Sequence, residues 1–225
     1  MLDCQLVLPC RDEAPALRLL LPRVPRGLGV VVVDNGSTDE TAAVAARAGA
    51  LVVDEPRPGY GAAVDAGVRA ATATFVAVMD GDGSFDPADV LPLLALVRDG
   101  EADLAMGRRD RTTGMRPPWT ARLGNALVLA TVRRRTGVAL DDLGPLRVAR
   151  RADLLALGIE DRRFGYPVEL VDRAARAGWR IVERDVAYHP RTPGTRSKVS
   201  GSVSGTFRAG RDFLRVLATT RRGER

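Results

Sequence analysis

Short, mostly apolar segments alternate with helical patterns through the first half of this 225-residue chain. The apolar segments are residues 5–9, 29–34, 50–53, 75–80 and 102–106. Strands that are apolar along their whole length are typical of a parallel sheet with helices on both faces. We therefore predict an α/β fold with a Rossmann-like, mostly parallel sheet flanked by helices. In such sheets, ligands bind beyond the carboxyl ends of the strands.

The second half of the chain has a less regular pattern, with three helical segments and two strand-like ones. The predicted helices are 120–135, 153–157 and 168–177, and the predicted strands are 179–182 and 185–188. The sequence shows neither an internal repeat nor a clean domain boundary. We expect a single domain over residues 1–210, and a basic amphipathic helix and tail over residues 203–225.

The excess of basic side chains gives a net charge of +6 and a pI of about 10.2. Such a charge suits phosphorylated ligands, an anionic membrane surface or nucleic acid. Aromatic residues are only 4%, and RNA-stacking motifs and zinc-finger spacings are absent from the sequence, so we do not expect nucleic-acid binding.

Two features bear on the cellular compartment. Cys4 and Cys10 would lie about 20 Å apart in an extended strand, which is too far for a disulfide and favours a reduced environment. The sequence contains neither an apolar run long enough to span a bilayer nor a signal peptide at its start. We therefore expect a cytoplasmic protein.

The apolar segment that begins at Phe75 ends in two carboxylates, Asp80 and Asp82, with one residue between them. Ionised carboxylates this close repel each other unless a cation or hydrogen-bond donors hold them. A divalent metal at the carboxyl end of a strand would do so, and oxygen ligands suit Mg²⁺ or Mn²⁺. The alternative is an ordinary Asp/Gly turn in a surface loop.

Two further predicted strands also end in acidic turns. The first is followed by Pro9-Cys-Arg11-Asp12-Glu13, and the second ends at Asp34 in a turn that contains Asn-Gly. Ser37 or Thr38 would cap the next helix, and Asp39 would lie in its first turn, where the helix dipole favours an acid. Three acid-bearing turns at one edge of a sheet indicate a ligand site.

Taken together, these motifs resemble glycosyltransferase family 2. The matching segments are Pro9–Glu13, Val32–Thr41, Gly59-Tyr60-Gly61, and Asp80-Gly81-Asp82 with Asp86-Pro87. Later segments resemble the dolichol- or polyprenyl-phosphate sugar transferase branch of that family. They are Gly107-Arg108-Arg109, Asp142–Arg147, Gly165–Glu169 and Tyr188–Arg191 through Ser197–Gly201. The resemblance covers about residues 6–210.

The resemblance implies a GT-A fold, a nucleotide-diphosphate sugar donor linked to UDP or GDP, and Mg²⁺ or Mn²⁺. Asp82 would be the direct metal ligand, and Asp80 would contact the metal or the ribose. Asp34 would accept a hydrogen bond from the nucleobase. The other positions implied for nucleotide binding are Pro9, Arg11, Glu13, Gly59, Gly61 and Gly81.

The same resemblance assigns later residues to phosphates and the acceptor. Arg191 and Lys198, the sole lysine, would contact phosphate from a loop that closes over the site. Glu169 would orient the acceptor or act as a general base. Histidine at position 189 would serve phosphate binding or structure rather than the metal. The remaining acceptor or phosphate candidates are Arg108, Arg147 and Ser197.

The sequence also departs from the family pattern. Asn35 stands where a second aspartate is common, Arg108 replaces a common serine, and Leu143–Arg147 differs from the usual Ser-Gly-Phe-Arg. The branch often carries membrane spans at its C-terminus. Here residues 203–217 place apolar side chains among arginines, which fits either an interfacial helix at the inner membrane face or a helix packed on the core.

We expect an inverting, metal-dependent glycosyltransferase whose acceptor is a polyprenyl phosphate. A soluble small-molecule acceptor stays open, and so does the oligomeric state. One different class is a haloacid-dehalogenase-type phosphatase with Asp80 as nucleophile, but three strand-like segments precede this motif and Lys198 comes late. A second is a degenerate, non-catalytic binding module, against which the intact Asp80/Asp82 pair argues.

Overall fold

The computed structural model describes residues 2–110 and 119–194, except the side chains of 119–125 and 127. One seven-stranded sheet runs through this part of the chain, in the order β3-β2-β1-β4-β6-β5-β7. The strands are β1 Cys4–Cys10, β2 Gly29–Asp34, β3 Leu51–Asp54, β4 Phe75–Val78, β5 Leu104–Arg109, β6 Arg147–Arg150 and β7 Ile181–Val186. The prediction of an α/β fold with a mostly parallel sheet is confirmed.

Helices cover both faces of the sheet. They are α1 Ala14–Leu20, α2 Thr41–Arg47, α3 Tyr60–Ala70, α4 Val90–Arg98, α5 Trp119–Thr136, α6 Arg151–Ala156 and α7 Tyr166–Arg176. Short 3₁₀ turns at Leu21–Arg23 and Pro87–Asp89 follow α1 and precede α4. The positions of α1–α7 agree with those of the predicted helices to within a few residues.

The alternation of side chains along each strand divides the core into two clusters. Leu6 and Leu8 of β1 pack on the face covered by α1, α2 and α4. Val7, between them, points to the other face, where it packs with residues of α3 and α7. Because both faces of β1 are buried, its central residues 6–8 are all apolar, as expected for the centre of a parallel sheet.

A small residue in α3 lets that helix approach the sheet closely. A Cβ atom at Gly67 would lie 2.4 Å from Val7 Cγ1 and 2.8 Å from Val33 Cγ2. The helix therefore packs directly on β1 and β2, and its first residues lie at the edge where those strands end.

The sequence pattern missed one strand and divided another. β6 pairs antiparallel with β4 and β5 and was not predicted, because four residues with arginine at both ends give no recognisable period. β7 is one continuous strand, whereas two were predicted. The predicted break, at Glu183 and Arg184, lies inside an edge strand that pairs only with β5 among the described strands.

The predicted cap of the second helix was also misplaced. Helix α2 begins at Thr41, so Ser37 and Thr38 precede it and do not cap it. Asp39 lies before the first turn and accepts the backbone N–H of Thr41. The segment 203–225 lies outside the described residues. None of the helices described here is long and apolar enough to cross a membrane.

Candidate active site

Four parallel strands end at one edge of the sheet and bring the predicted site together. β1 pairs with β2 on one side, where Cys10 is opposite Asp34, and with β4 on the other. β3 ends beside β2, with Asp54 opposite Asp34. The turn that carries Asp80 and Asp82 directly follows β4 at the same edge.

The carboxylate of Asp82 is buried and already has two partners within the protein. One oxygen, Oδ1, accepts the backbone N–H of Ser84 at 2.9 Å, and Oδ2 lies 3.1 Å from Nε of Arg191. The backbone N–H of Thr192 also donates to the carbonyl oxygen of Asp82 at 3.0 Å. The predicted phosphate-binding arginine is thus held beside the acidic turn.

Asp80 is only partly exposed and lies close to the same charges. Burial and the neighbouring Asp82 raise the pKa of Asp80 to about 6, and Arg191, Arg147 and Arg109 act in the opposite direction. The three arginines therefore do not fully offset the burial of Asp80 and the charge of Asp82. The site therefore favours an additional cation beside Asp80.

Within the described part of the chain, no third His, Cys, Asp or Glu side chain joins the carboxylate pair to form a metal-binding group. Among residues 2–110 and 119–194, no group of three or more His, Cys, Asp or Glu side chains could hold a metal ion. His189 belongs to no such group, and its backbone N–H donates to the carbonyl oxygen of Ser84. Two carboxylates suit an ion such as Mg²⁺ or Mn²⁺, which completes its shell with water and substrate phosphates.

The turns after β1 and β2 are tied to each other by hydrogen bonds. The backbone N–H of Asp12 donates to Ser37 Oγ, and the N–H of Thr38 donates to Asp12 Oδ1. The backbone N–H of Glu13 donates to Thr41 Oγ1 at 2.9 Å. The structure brings the candidates Pro9, Arg11, Glu13 and Asp34 together at these adjoining turns.

The three candidate glycines all meet protein atoms. A Cβ at Gly59 would lie 2.1 Å from the carbonyl oxygen of Arg162, and one at Gly61 would lie 2.3 Å from that of Asp161. A Cβ at Gly81 would lie 2.4 Å from Cys10 Sγ. Close packing within the chain is thus a sufficient reason for glycine at these positions.

The paired arginines at the end of β5 have different environments. Arg108, the predicted residue, forms ion pairs with Asp141 and Asp185, which occupy its guanidinium group. Arg109 is bound by Asp142 at 2.6 Å and stacks on Tyr188, and its charge lowers the pKa of Asp80. Successive residues of a strand point to opposite faces, so Arg109 is the member of the pair whose charge acts on Asp80, and the role of Arg108 stays a prediction.

Arg147, the first residue of β6, is a buried cation with few partners. Its Nη1 lies 3.5 Å from the hydroxyl of Tyr60 and its Nη2 lies 3.4 Å from the carbonyl oxygen of Leu143. Its Nε is buried without a hydrogen-bond partner. A buried guanidinium with unused donors is well suited to an anionic ligand.

Glu169 is engaged by several groups of the protein itself. Its carboxylate is buried and accepts the backbone N–H groups of Glu160 at 3.0 Å and Asp161 at 2.7 Å. It also pairs with Arg173 at 2.6 Å. Because both oxygens accept hydrogen bonds from the protein, Glu169 holds residues 160 and 161 in place. Its predicted role toward the acceptor stays a prediction. Ser197 and Lys198 lie outside the described residues.

Comparison with known proteins shows the family. The model of glycosyl transferase family 2 matches residues 6–157. The chain belongs to glycosyltransferase family 2. A glycosyltransferase of Mycobacterium tuberculosis is 54% identical over 212 residues, which cover 94% of this chain and 96% of the relative.

Other relatives of this family-2 glycosyltransferase are polyprenyl-phosphate sugar transferases by name. The undecaprenyl-phosphate mannosyltransferase of Micrococcus luteus is 32% identical over 218 residues, which are 88% of each chain. The dodecaprenyl-phosphate galacturonate synthase of Rhizobium johnstonii is 31% identical over 236 residues, which cover 96% of this chain and 67% of the relative.

A solved structure shows the same fold. Glucosyl-3-phosphoglycerate synthase from Mycobacterium tuberculosis, in complex with Mn²⁺, uridine diphosphate and glucosyl-3-phosphoglycerate, superposes with a TM-score of 0.76 at 22% identity. The match covers 96% of this chain and 78% of that chain. The sheet and helices described above are therefore those of a GT-A glycosyltransferase.

The contact between Gly81 and Cys10 yields a prediction about stability. Gly81→Ala should lower the free energy of unfolding by about 1–3 kcal/mol, because the new methyl group overlaps Cys10 Sγ. In the Cys10→Ala background, the same change should cost at least ~1 kcal/mol less. Urea denaturation of the four proteins measures this coupling, and strictly additive effects would contradict the contact.

The burial of Asp80 beside Asp82 yields a second prediction, for protein prepared with chelator. The folded-state pKa of about 6 exceeds the ordinary 3.8, so folding stability falls as pH rises between these values and stays lower above them. Asp80→Asn should therefore raise the free energy of unfolding at pH 8 by on the order of 1–3 kcal/mol, with the gain vanishing near pH 4.

Urea denaturation at several pH values tests this prediction, with Asp99→Asn as the control. Asp99 is exposed at the end of α4, and its hydrogen bond with Arg98 lowers its pKa. A loss of stability at pH 8 in Asp80→Asn, or an equal gain in the control, would contradict the proposed repulsion.

Proposed function

We propose that this glycosyltransferase moves a sugar, with inversion, from a nucleotide-diphosphate sugar to a lipid phosphate of the polyprenyl type. The observation that carries the proposal is the edge of the sheet where Asp80 and Asp82 lie close to Arg191, Arg109 and Arg147. Opposite charges in this arrangement suit a ligand that contains both a divalent cation and phosphate groups.

The residues present fit a divalent metal. Asp80 and Asp82 would hold Mg²⁺ or Mn²⁺. Burial and the charge of Asp82 raise the pKa of Asp80, and such an ion would favour its ionised form. When bound, the ion would neutralise charge that develops on the departing nucleoside diphosphate. Solved structures of glucosyl-3-phosphoglycerate synthase, which has the same fold, contain Mn²⁺ or Mg²⁺ together with uridine diphosphate.

The nucleotide would lie along the ends of β1 and β2. Asp34 has one carboxylate oxygen engaged by the backbone N–H of Ser37 and is partly exposed. We assign it the hydrogen bond to the base. Arg11 is exposed at the neighbouring turn, and Pro9 and Glu13 would complete the base and ribose pocket. Gly59, Gly61 and Gly81 would contribute by shaping this edge.

The acceptor requires recognition rather than deprotonation. A lipid phosphate is already ionised near neutral pH, so its oxygen can attack the anomeric carbon without a strong base. This agrees with the absence of a free carboxylate at Glu169. Arg147, with its buried and unpartnered Nε, is the best-placed group for the acceptor phosphate, together with Arg109.

The polyprenyl-type acceptor rests on the relatives named above, which cover most of this chain. A soluble phosphorylated acceptor is the second candidate, since the solved neighbour was crystallised with glucosyl-3-phosphoglycerate. Both acceptors present a phosphate group to the protein. Phosphate contacts from Ser197 and Lys198 remain predictions.

The donor half of the proposal predicts metal-dependent nucleotide binding. UDP or GDP, and the corresponding nucleotide sugars, should raise the melting temperature in the presence of Mn²⁺. Asp82→Asn should weaken this binding by at least ~tenfold, because the variant loses a charged metal ligand. Calorimetric titration gives the dissociation constants.

Asp99→Asn serves as the control for this experiment, since Asp99 lies on the exposed C-terminal end of α4. The donor assignment fails if neither nucleotide binds the wild-type protein with Mn²⁺, or if Asp82→Asn binds as the wild type does.

The acceptor half predicts a selective effect at Arg147. Arg147→Gln should raise the KM for the acceptor by at least ~tenfold, because the neutral amide cannot pair with the phosphate. The donor affinity should change less than the acceptor KM, because Arg147 acts on Asp80 only through its charge, and donor binding also shows that the variant is folded. Arg150→Gln, at the other end of β6 over the ring of Phe75, is the matched control.

Transfer of labelled sugar to a polyprenyl phosphate in detergent and to 3-phosphoglycerate compares the two acceptor classes. Exclusive use of the soluble acceptor would reject the lipid proposal. A wild-type acceptor KM in Arg147→Gln would reject the role of Arg147.

A further inference from the structure

We propose that Asn35 is a positioning residue for the nucleotide half of the site. Its carboxamide fixes residues 55–59, the segment after β3, as one wall of the base pocket. The inference rests on the proposed function, because it assumes that a nucleotide base lies against Asp34. It assigns a role to a position where the sequence departs from the aspartate that is common in the family.

Both the amide nitrogen and the amide oxygen of Asn35 form their hydrogen bonds with this one segment. Nδ2 donates to the carbonyl oxygen of Glu55 at 2.8 Å and to that of Arg57 at 2.7 Å. Oδ1 accepts the backbone N–H of Gly59 at 2.9 Å. Three bonds from one side chain to alternate residues define the path of the segment.

The segment is also tied to Asp34 and to itself. The backbone N–H of Glu55 donates to the carbonyl oxygen of Asp34 at 2.9 Å. The buried carboxylate of Glu55 accepts the backbone N–H of Arg57 at 2.9 Å and its Nε at 3.0 Å. Positions 56–58 remain exposed, so the segment presents its outer surface to a ligand or to solvent.

The order of the strands places this segment beside the predicted base. β2 lies between β1 and β3, so a base against Asp34 has the turn after β1 on one side and residues 55–59 on the other. The turn after β1 is held by hydrogen bonds to residues 37–41. Asn35 holds the segment after β3 in the same way, by hydrogen bonds to residues 55–59.

The chemistry requires an amide at this position. A carboxylate only accepts hydrogen bonds, so aspartate would place its charge against the carbonyl oxygens of Glu55 and Arg57. Only the bond from Gly59 would survive. Because the amide is consumed within the protein, Asn35 positions the pocket wall and does not itself read the base.

The test measures nucleotide binding to the full chain with saturating Mn²⁺. Asn35→Asp should raise the dissociation constant of UDP or GDP, whichever the wild type binds, by at least ~tenfold. Asn35→Ala should raise it less, since it loses the bonds without adding repulsion. With a nucleotide-sugar donor, KM should rise in parallel, while kcat at saturation stays within about twofold, as expected for lost ground-state binding.

Gln5→Ala is the matched structural control. Gln5 Oε1 accepts the backbone N–H groups of Thr72 at 2.6 Å and Ala73 at 2.9 Å, near the start of β1 at the opposite end of the sheet. This variant should lose melting temperature but keep the wild-type dissociation constant. Equal weakening of nucleotide binding in Gln5→Ala would show a general effect of stability and overturn the proposal.

The remaining outcomes distinguish a failure of the role of Asn35 from a failure of the proposed function. Wild-type binding with an unchanged dissociation constant in Asn35→Asp overturns the role of Asn35 alone. If Asn35→Asp does not fold, Asn35→Ala decides, and wild-type affinity in that variant overturns the role. If the wild type binds neither nucleotide, the proposed function fails and this inference fails with it.

Discussion

The repulsion between Asp80 and Asp82 is the constraint around which the candidate site is organised. Two carboxylates at the end of a buried strand need compensation, and the fold supplies it from separate elements. Arg191 comes from the segment after β7, Arg147 from β6 and Arg109 from β5. Burial and the charge of Asp82 still keep the pKa of Asp80 above its ordinary value, and a divalent ion suits this edge because it would stabilise the ionised carboxylates.

Much of the fold could be predicted from the sequence, because the central strands have the apolar pattern expected of buried parallel strands. β1 and β2 are buried on both faces, so their apolar runs have the expected position and direction. β6 could not be predicted in this way, because it has only four residues, with arginine at both ends, and it pairs with two neighbouring strands. Its antiparallel direction follows from the chain path, which local periodicity does not encode.

The residues of the candidate site also differ in whether the sequence could predict them. Asp34, Asp80 and Asp82 were predictable because acidic residues that follow parallel strands meet at one edge. The contacts of Glu169 and Arg108 were not predictable, because they form only in the folded protein. Glu169 is bound by the backbone of Glu160 and Asp161. Arg108 forms ion pairs with Asp141 and Asp185. Asn35 belongs to this second group, because its role appears only with the carbonyl groups that it binds.

The central claim is that the two carboxylates after β4 hold a metal together with a nucleotide. Anomalous diffraction from crystals grown with Mn²⁺ and UDP or GDP tests it most directly. The account predicts a manganese peak within about 2.5 Å of an Asp82 carboxylate oxygen, with the diphosphate on the ion and the base beside Asp34. Ordered nucleotide with manganese elsewhere, or a base bound away from Asp34, would contradict it.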